Sequence, residues 1–367
     1  MNKNTETFLG LIRLGIGHPI GVLPDGLEWD SIEALAIQHG LSAVVVDGIE
    51  KLPDEKRPPK VVLLQWIGET LQGYEYRYKK NKQAISELAS FYNSHGFKMM
   101  VLKGYACGMN WPKPEHRPCG DIDIWLFGKQ KESDLALAKE KGIEIDRGHH
   151  HHTVFGWHDF TVENHYDFIN VIRHKSHIGL EKKFKELGAD DTHVAELSGE
   201  KVYLPSPNLH ALFLLRHALN HFASMGINLR QVLDWAFFIE KHTNEIDWDW
   251  FLSVIEDYQM QEFFNCLNAI CVEDLGFEAK IFKQVQFNPV TKEKILKDII
   301  EPEYSPELPK GLVKSMIFRF RRWRGSAWKY ELCYKESRWS AFWGGVCNNI
   351  LKLYERNSFQ VKAIYGK

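Results

Sequence analysis

The segment Val101–Phe127 constrains this chain more than any other. An apolar run ends in Lys103-Gly104, and after a gap comes Gly120-Asp121-Ile122-Asp123-Ile124-Trp125. Alternate side chains of a strand share a face, so Asp121 and Asp123 project together, about 6–7 Å apart. Two carboxylates on a half-buried strand repel each other and lose hydration, and a hard divalent cation such as Mg2+ relieves both penalties. The same residues also fit a strand whose acids face solvent, or one acid paired with Arg117. The run from Phe97 to Leu102 reads as the preceding strand. Gly104 can open a helix whose N-terminus lets backbone N–H groups approach a phosphate.

Leu102-Lys103-Gly104, the turn Trp111-Pro112-Lys113-Pro114, Arg117 and Gly120-Asp121-Ile122-Asp123 resemble the motif of a bacterial family: LKG, an aromatic-proline turn, then R-x-x-x-DID. That family is usually called the uncharacterised nucleotidyltransferases, within the DNA polymerase β-like superfamily. Trp29–Gly40, His217-Ala218-Leu219-Asn220-His221 and Leu229–Ala236 resemble further parts of it, so the resemblance covers most of the chain. It implies an α+β fold, a mixed-sheet nucleotidyltransferase core with N-terminal and C-terminal helical regions. It also implies transfer of NMP from an NTP to a hydroxyl acceptor, a small molecule or a protein side chain, at a two-metal Mg2+ site. Asp121 and Asp123 are then metal ligands. A third acid comes from Val162-Glu163-Asn164-His165-Tyr166-Asp167, where Glu163 and Asp167 share a parity with His165. The family's V-[ED]-x-H strand favours Glu163 as ligand and base and keeps Asp167 as the alternative. Lys103, Gly104, Arg117, Gly120 and Arg230 fall to the nucleotide. Arg117 equally suits a salt bridge to a carboxylate, and Arg230 either pairs with Asp234 at i,i+4 or closes over the nucleotide. One departure stands out: Tyr105 follows Gly104 where the superfamily has Ser or Gly. It supports an alternative, a catalytically silent member that binds a nucleotide or a partner protein.

The chain's 367 residues allow three regions, 1–95 helical, 96–180 the α/β core and 181–367 helical. In the first, Pro24-Asp25-Gly26 is a turn, Asp30 or Ser31 caps a helix, and a long helix from Val61 to His95 breaks near Gly73. In the second, Ser133 caps a helix that Gly142 ends, Ile143–Ile145 is a strand, and His151–Phe155 with Phe160–Ile172 forms a hairpin. In the third, Pro205-Ser206-Pro207-Asn208 opens one helix, another runs from Asn228 to about His242, and they form the far wall of the cleft. A net charge of −2, from 46 basic and 48 acidic residues, argues against nucleic acid as partner. Six cysteines (107, 119, 266, 271, 333 and 347) form no Cys-x-x-Cys pair. With a polar start and no apolar run long enough to span a membrane, they point to the cytoplasm.

The run His149-His150-His151-His152 reads as a polar hairpin strand in which at most two rings converge. His217 and His221, one turn apart, read as partly buried histidines, and Arg319–Arg324 as a helix with buried aromatics and solvated arginines. Because Asp121 and Asp123 repel, Asp123→Ala is expected to spare the apo fold.

Overall fold

The structure, a computed structural model, describes residues 2–21, 23–24, 26–149, 151–171, 175–283, 286–304, 309–339 and 343. Asp25 of the turn, His150, Ile172 at the hairpin's end and Cys347 lie outside them.

The fold is α+β. Five helices come first: α1 Lys3–Gly15, α2 Trp29–His39, α3 Ser42–Glu50, α4 Lys60–Glu69 and α5 Arg77–Ser94. The break near Gly73 is a π-helical stretch, Thr70–Tyr76, joining α4 to α5. Glu28 rather than Asp30 or Ser31 precedes α2, and Gly40 ends it in the left-handed conformation. The core follows with β1 Met100–Val101, α6 Tyr105–Gly108, β2 Ile122–Trp125, α7 Gln130–Lys141, β3 His152–Trp157, β4 Phe160–His165, α8 Lys175–Gly188, β5 Val194–Leu197 and β6 Glu200–Tyr203. Then come α9 Pro207–Ser224, α10 Leu229–His242, α11 Trp248–Asp257, α12 Gln261–Ala269, α13 Pro289–Ile300, α14 Leu312–Gly325 and α15 Ala327–Cys333. Ser206 caps α9, and Asn228 with Gln231 makes a capping box on α10.

The six strands form one mixed sheet in the order β3-β4-β2-β1-β6-β5. β2 lies parallel to β4 and antiparallel to β1. The sheet reaches past residue 180 to take in β5 and β6, because Met100 of β1 pairs in parallel with Tyr203. Ile143–Ile145 is not a strand: one bridge, Asp146 with Val154, is all that forms there. α7 starts at Gln130, three residues before Ser133, and Gly142 closes it.

Strand parity divides the sheet into two faces. Ile122, Ile124 and Val162 pack with Ile85, Leu88 and Tyr92 of α5 and Leu137 of α7. The opposite face carries Asp123 and Trp125. The Trp125 and Phe168 rings lie tilted with centroids 5.1 Å apart, and Phe168, Phe184 and Phe213 continue the contact into α8 and α9. That second core runs without a break through α1–α3 and α9–α13, so the first and last helical regions share one interior. Asp123 therefore faces a layer of helices rather than solvent.

Candidate active site

A cavity of about 610 Å³ lies between the Asp123 face of the sheet and helices α9 and α10. Lys103, Gly104, Gly120, Asp121, Asp123 and Glu163 line one side, and His217, Asn220, His221, Arg230 and Asp234 line the other. The parallel register sets Asp123 directly beside Glu163. Asp121 sits one residue ahead of β2 and is the more exposed of the pair.

Asp123, only 1% exposed, is the electrostatic centre. Lys103 Nζ lies 2.6 Å and His165 Nε2 2.9 Å from its Oδ1. Burial acts to raise the Asp123 carboxyl, but Lys103 and His165 overcome it and hold it below the ordinary carboxylate range. Burial works against the Lys103 charge too, and Asp123 nonetheless raises that pKa. Glu163 is lowered: burial opposes ionisation, and the His165 hydrogen bond outweighs it. Asp121, with no such partner, is raised by burial and by the Asp123 charge. His165 is raised because Asp123 and Glu163 outweigh its burial. His221 is pushed down to about 4 by burial and by Lys103. One donor atom each from Asp123, Glu163 and His165 falls within 4.8 Å of the other two.

Several expected residues stand elsewhere. β4 ends at His165, so the parity that would align Asp167 with Glu163 stops before it. Asp167 meets Lys185 at 2.5 Å and does not line the cavity. Arg117 lines the cavity but does not pair with Asp121. It grips Asp234 through two bonds of 2.7 and 2.9 Å, and Trp111 Nε1 donates to the same carboxylate at 2.9 Å. Lys113 and His116 bind Asp47 of α3 at 2.5 and 2.6 Å. The proline turn is thus a clamp that fixes the approach to β2. Arg230 consequently lacks Asp234 as its partner, and among the described residues no carboxylate pairs with it. Its Nε is buried without a hydrogen bond, and burial and Arg117 lower its pKa.

Gly104 has φ 54° and ψ −101°, a conformation closed to residues with a Cβ. A Cβ there would also stand 3.3 Å from the Asp121 carbonyl oxygen. Its helix, α6, is only four residues long, so little helix dipole stands behind it. His217 and His221, rings 4.3 Å apart, are partly buried as expected and line the cavity. On α14, Arg319 and Arg321 are exposed as expected, but Phe320 is 59% exposed and not buried.

Arg216, His151 and His152 also line the cavity, a placement that their local sequence does not by itself announce. Arg216 is buried on α9, in contact with His177 and with its guanidinium 4.8 Å from the Tyr334 ring. An arginine directly after Phe213-Leu214-Leu215 was the available signal.

The sequence pattern of one family, described as uncharacterised nucleotidyltransferase, matches residues 25–276. The chain belongs to that family. Membership supports nucleotidyl transfer as its general activity and an NTP as substrate. No curated protein matches the chain. Among solved structures, an antigenic nucleotidyltransferase-like protein from Paracoccidioides brasiliensis is similar at 16% identity and TM-score 0.32, over 44% of this chain and 75% of that one. In this nucleotidyltransferase, then, residues 101–127 hold both a structural clamp and one side of the cavity.

Proposed function

We propose that this chain is a Mg2+-dependent nucleotidyltransferase that moves NMP from an NTP to a hydroxyl acceptor. The observation carrying the proposal is the adjacency of Asp123 and Glu163 across two parallel strands, at a cavity that Asp121, Lys103 and Arg230 also line. The donor set fits the ion: three carboxylates supply hard oxygen ligands, and the contacts of Lys103 and His165 converge on Oδ1 of Asp123. Asp121, Asp123 and Glu163 would hold it. A bound Mg2+ neutralises triphosphate charge and lowers the pKa of a coordinated hydroxyl.

The chain's own residues do the rest. Arg230 supplies a guanidinium that no carboxylate of the described residues engages, suited to bidentate contact with phosphate. Lys103 adds a second positive charge. Glu163, held ionised, takes the proton of the acceptor hydroxyl. The acceptor oxygen then bonds to the α-phosphorus, the bond to the β-phosphate oxygen breaks, and pyrophosphate leaves. Gly104 and Gly120 leave room for phosphate, and α9 and α10 select the acceptor. We assign the protein to the cytoplasm: the five described cysteines are free thiols, and no described helix is long and apolar enough to cross a membrane.

A second reading, a silent nucleotide-binding member, draws on Tyr105 and on the compensation of Asp123 by Lys103 and His165 without any metal. Incubation with each NTP labelled at the α-phosphate, Mg2+ and a small-molecule cell extract separates the two. Transfer predicts a labelled product and pyrophosphate, both absent with Glu163→Gln. Nucleotide binding with no pyrophosphate released favours the silent reading.

A further inference from the structure

The carboxylate end of the cavity also gathers imidazoles. His152 opens β3 and His165 closes β4, and the antiparallel register sets them opposite each other with ring centroids 5.2 Å apart. His151 comes from the bend before β3. Its carbonyl accepts the N–H groups of Tyr166 and Asp167 at 3.0 and 3.1 Å, which ties it to the end of β4. Its ring lies 4.3 Å from that of His152 and 5.6 Å from that of His165. One ring nitrogen from each of the three lies within 4.8 Å of the other two, and all three residues line the cavity. Glu163 stands beside them, 3.8 Å from His152 Nε2 and 3.5 Å from His165 Nε2.

These are poor surroundings for a merely solvated histidine strand. His152 is 7% exposed and His165 2%. His152 Nδ1 is buried with no hydrogen-bond partner among the described residues, which is costly unless something engages it. A cation that prefers nitrogen would.

We propose that His151, His152 and His165 form a binding site for a borderline divalent cation of the zinc class, with Glu163 as fourth donor. Imidazole nitrogen is a ligand for zinc and its neighbours in the transition series, whereas Mg2+ takes oxygen. Tetrahedral zinc–nitrogen bonds of about 2.0–2.1 Å place donor atoms about 3.4 Å apart, so the cluster closes by roughly an ångström, within reach of side-chain rotation. The cavity end then has two adjoining cation positions. One is oxygen-rich at Asp121 and Asp123, the other nitrogen-rich at the three histidines, and Glu163 lies between them. The inference goes beyond the transferase reading and stands whether or not nucleotide is transferred.

The test uses the full chain stripped of metal and Zn2+ alone as probe. Affinity is measured against a chromophoric chelator, and the first shell is read by X-ray absorption at the zinc edge. The expected result is one tightly held zinc with an imidazole-rich shell. Affinity falls at least about tenfold in His151→Ala and in His151→Ala/His152→Ala. It is unchanged in Asp121→Asn. Melting of the metal-free variants controls for folding, and the wild-type absorption spectrum needs no variant. An oxygen-only shell overturns the inference. So does undiminished affinity in the double variant, or a loss confined to Asp121→Asn.

Discussion

On the sheet wall of the cavity, opposite and like charges meet through strand register: Asp123 beside Glu163, with Lys103 and His165 on the same oxygen of Asp123. On the helix wall, Arg117 reaches across from the loop to Asp234 of α10, 117 residues away, and Arg230 of the same helix is left without that carboxylate. Neighbours in the sheet are set by two-residue periodicity. Neighbours on the helix wall are set by which loop docks where. The sheet wall is pre-charged and self-compensated, and the helix wall holds a surplus guanidinium.

Asp123→Ala should have the largest effect, and here the geometry reverses the expectation that the apo fold is spared. The substitution strips the counter-charge from buried Lys103 and His165, a loss of about 3–5 kcal/mol for a broken buried pair. Both transfer and melting temperature should fall. Unchanged apo melting would show that Lys103 finds solvent when Asp123 is absent.

Arg117→Ala comes next. It abandons the buried Asp234 carboxylate and should also cost about 3–5 kcal/mol in denaturant unfolding. Arg117→Lys should recover only part of this, since an ammonium cannot make the two-bond contact. Full recovery by lysine would mean that charge alone matters at the clamp.

Acid should separate the two walls. His39, which accepts the Leu229 N–H at the start of α10, is pushed down to about 4, chiefly by burial, and His210 of α9 to about 3 by burial and His242. Both fold as neutral rings. Below the ordinary histidine value of 6.5 the unfolded chain binds protons that the folded chain refuses, so this stability is present above about pH 6.5 and is lost as pH falls towards 4. For His39 alone, at about 1.4 kcal/mol per unit, the loss is on the order of 2–3 kcal/mol. Asp123 is depressed instead, so its contribution is lost only below the ordinary aspartate value of 3.8. Melting temperature against pH should therefore begin to fall near 6.5, and His39→Gln should flatten that slope. An unaltered slope would remove His39 from the account.

The legible part of the molecule follows the same division. Strand parity was enough to put Asp121 and Asp123 at one cavity, and the run Pro205-Ser206-Pro207-Asn208 and the start at Asn228 located α9 and α10. The parity rule misled where a strand stopped: at Asp167, two residues past the end of β4, and at Ile143–Ile145, which never joins the sheet. The partner of Arg117 was out of reach because nothing local distinguishes Asp234 from other acids. The extension of the sheet to β5 and β6 was equally hidden, since strands of only four residues carry weak periodicity.

Arg230→Ala should weaken NTP binding by about tenfold, roughly 1.4 kcal/mol, with little change in melting temperature. An equal loss of stability would mean that Arg230 is structural. Asp167→Asn should do least. It removes only a half-exposed pair with Lys185, worth under about 1 kcal/mol, and should leave transfer intact where Glu163→Gln abolishes it. Lost transfer in Asp167→Asn would reopen the choice of third acid.

The Asp123–Glu163 wall should receive an NTP together with a divalent cation. Thermal melting of the full chain with each NTP, in Mg2+ or in chelator, tests it most directly. At least one nucleotide should raise the melting temperature in Mg2+ and not in chelator, and Glu163→Gln, melting normally when free, should lose that shift. A shift of the same size in chelator, or one that survives in Glu163→Gln, would contradict the account.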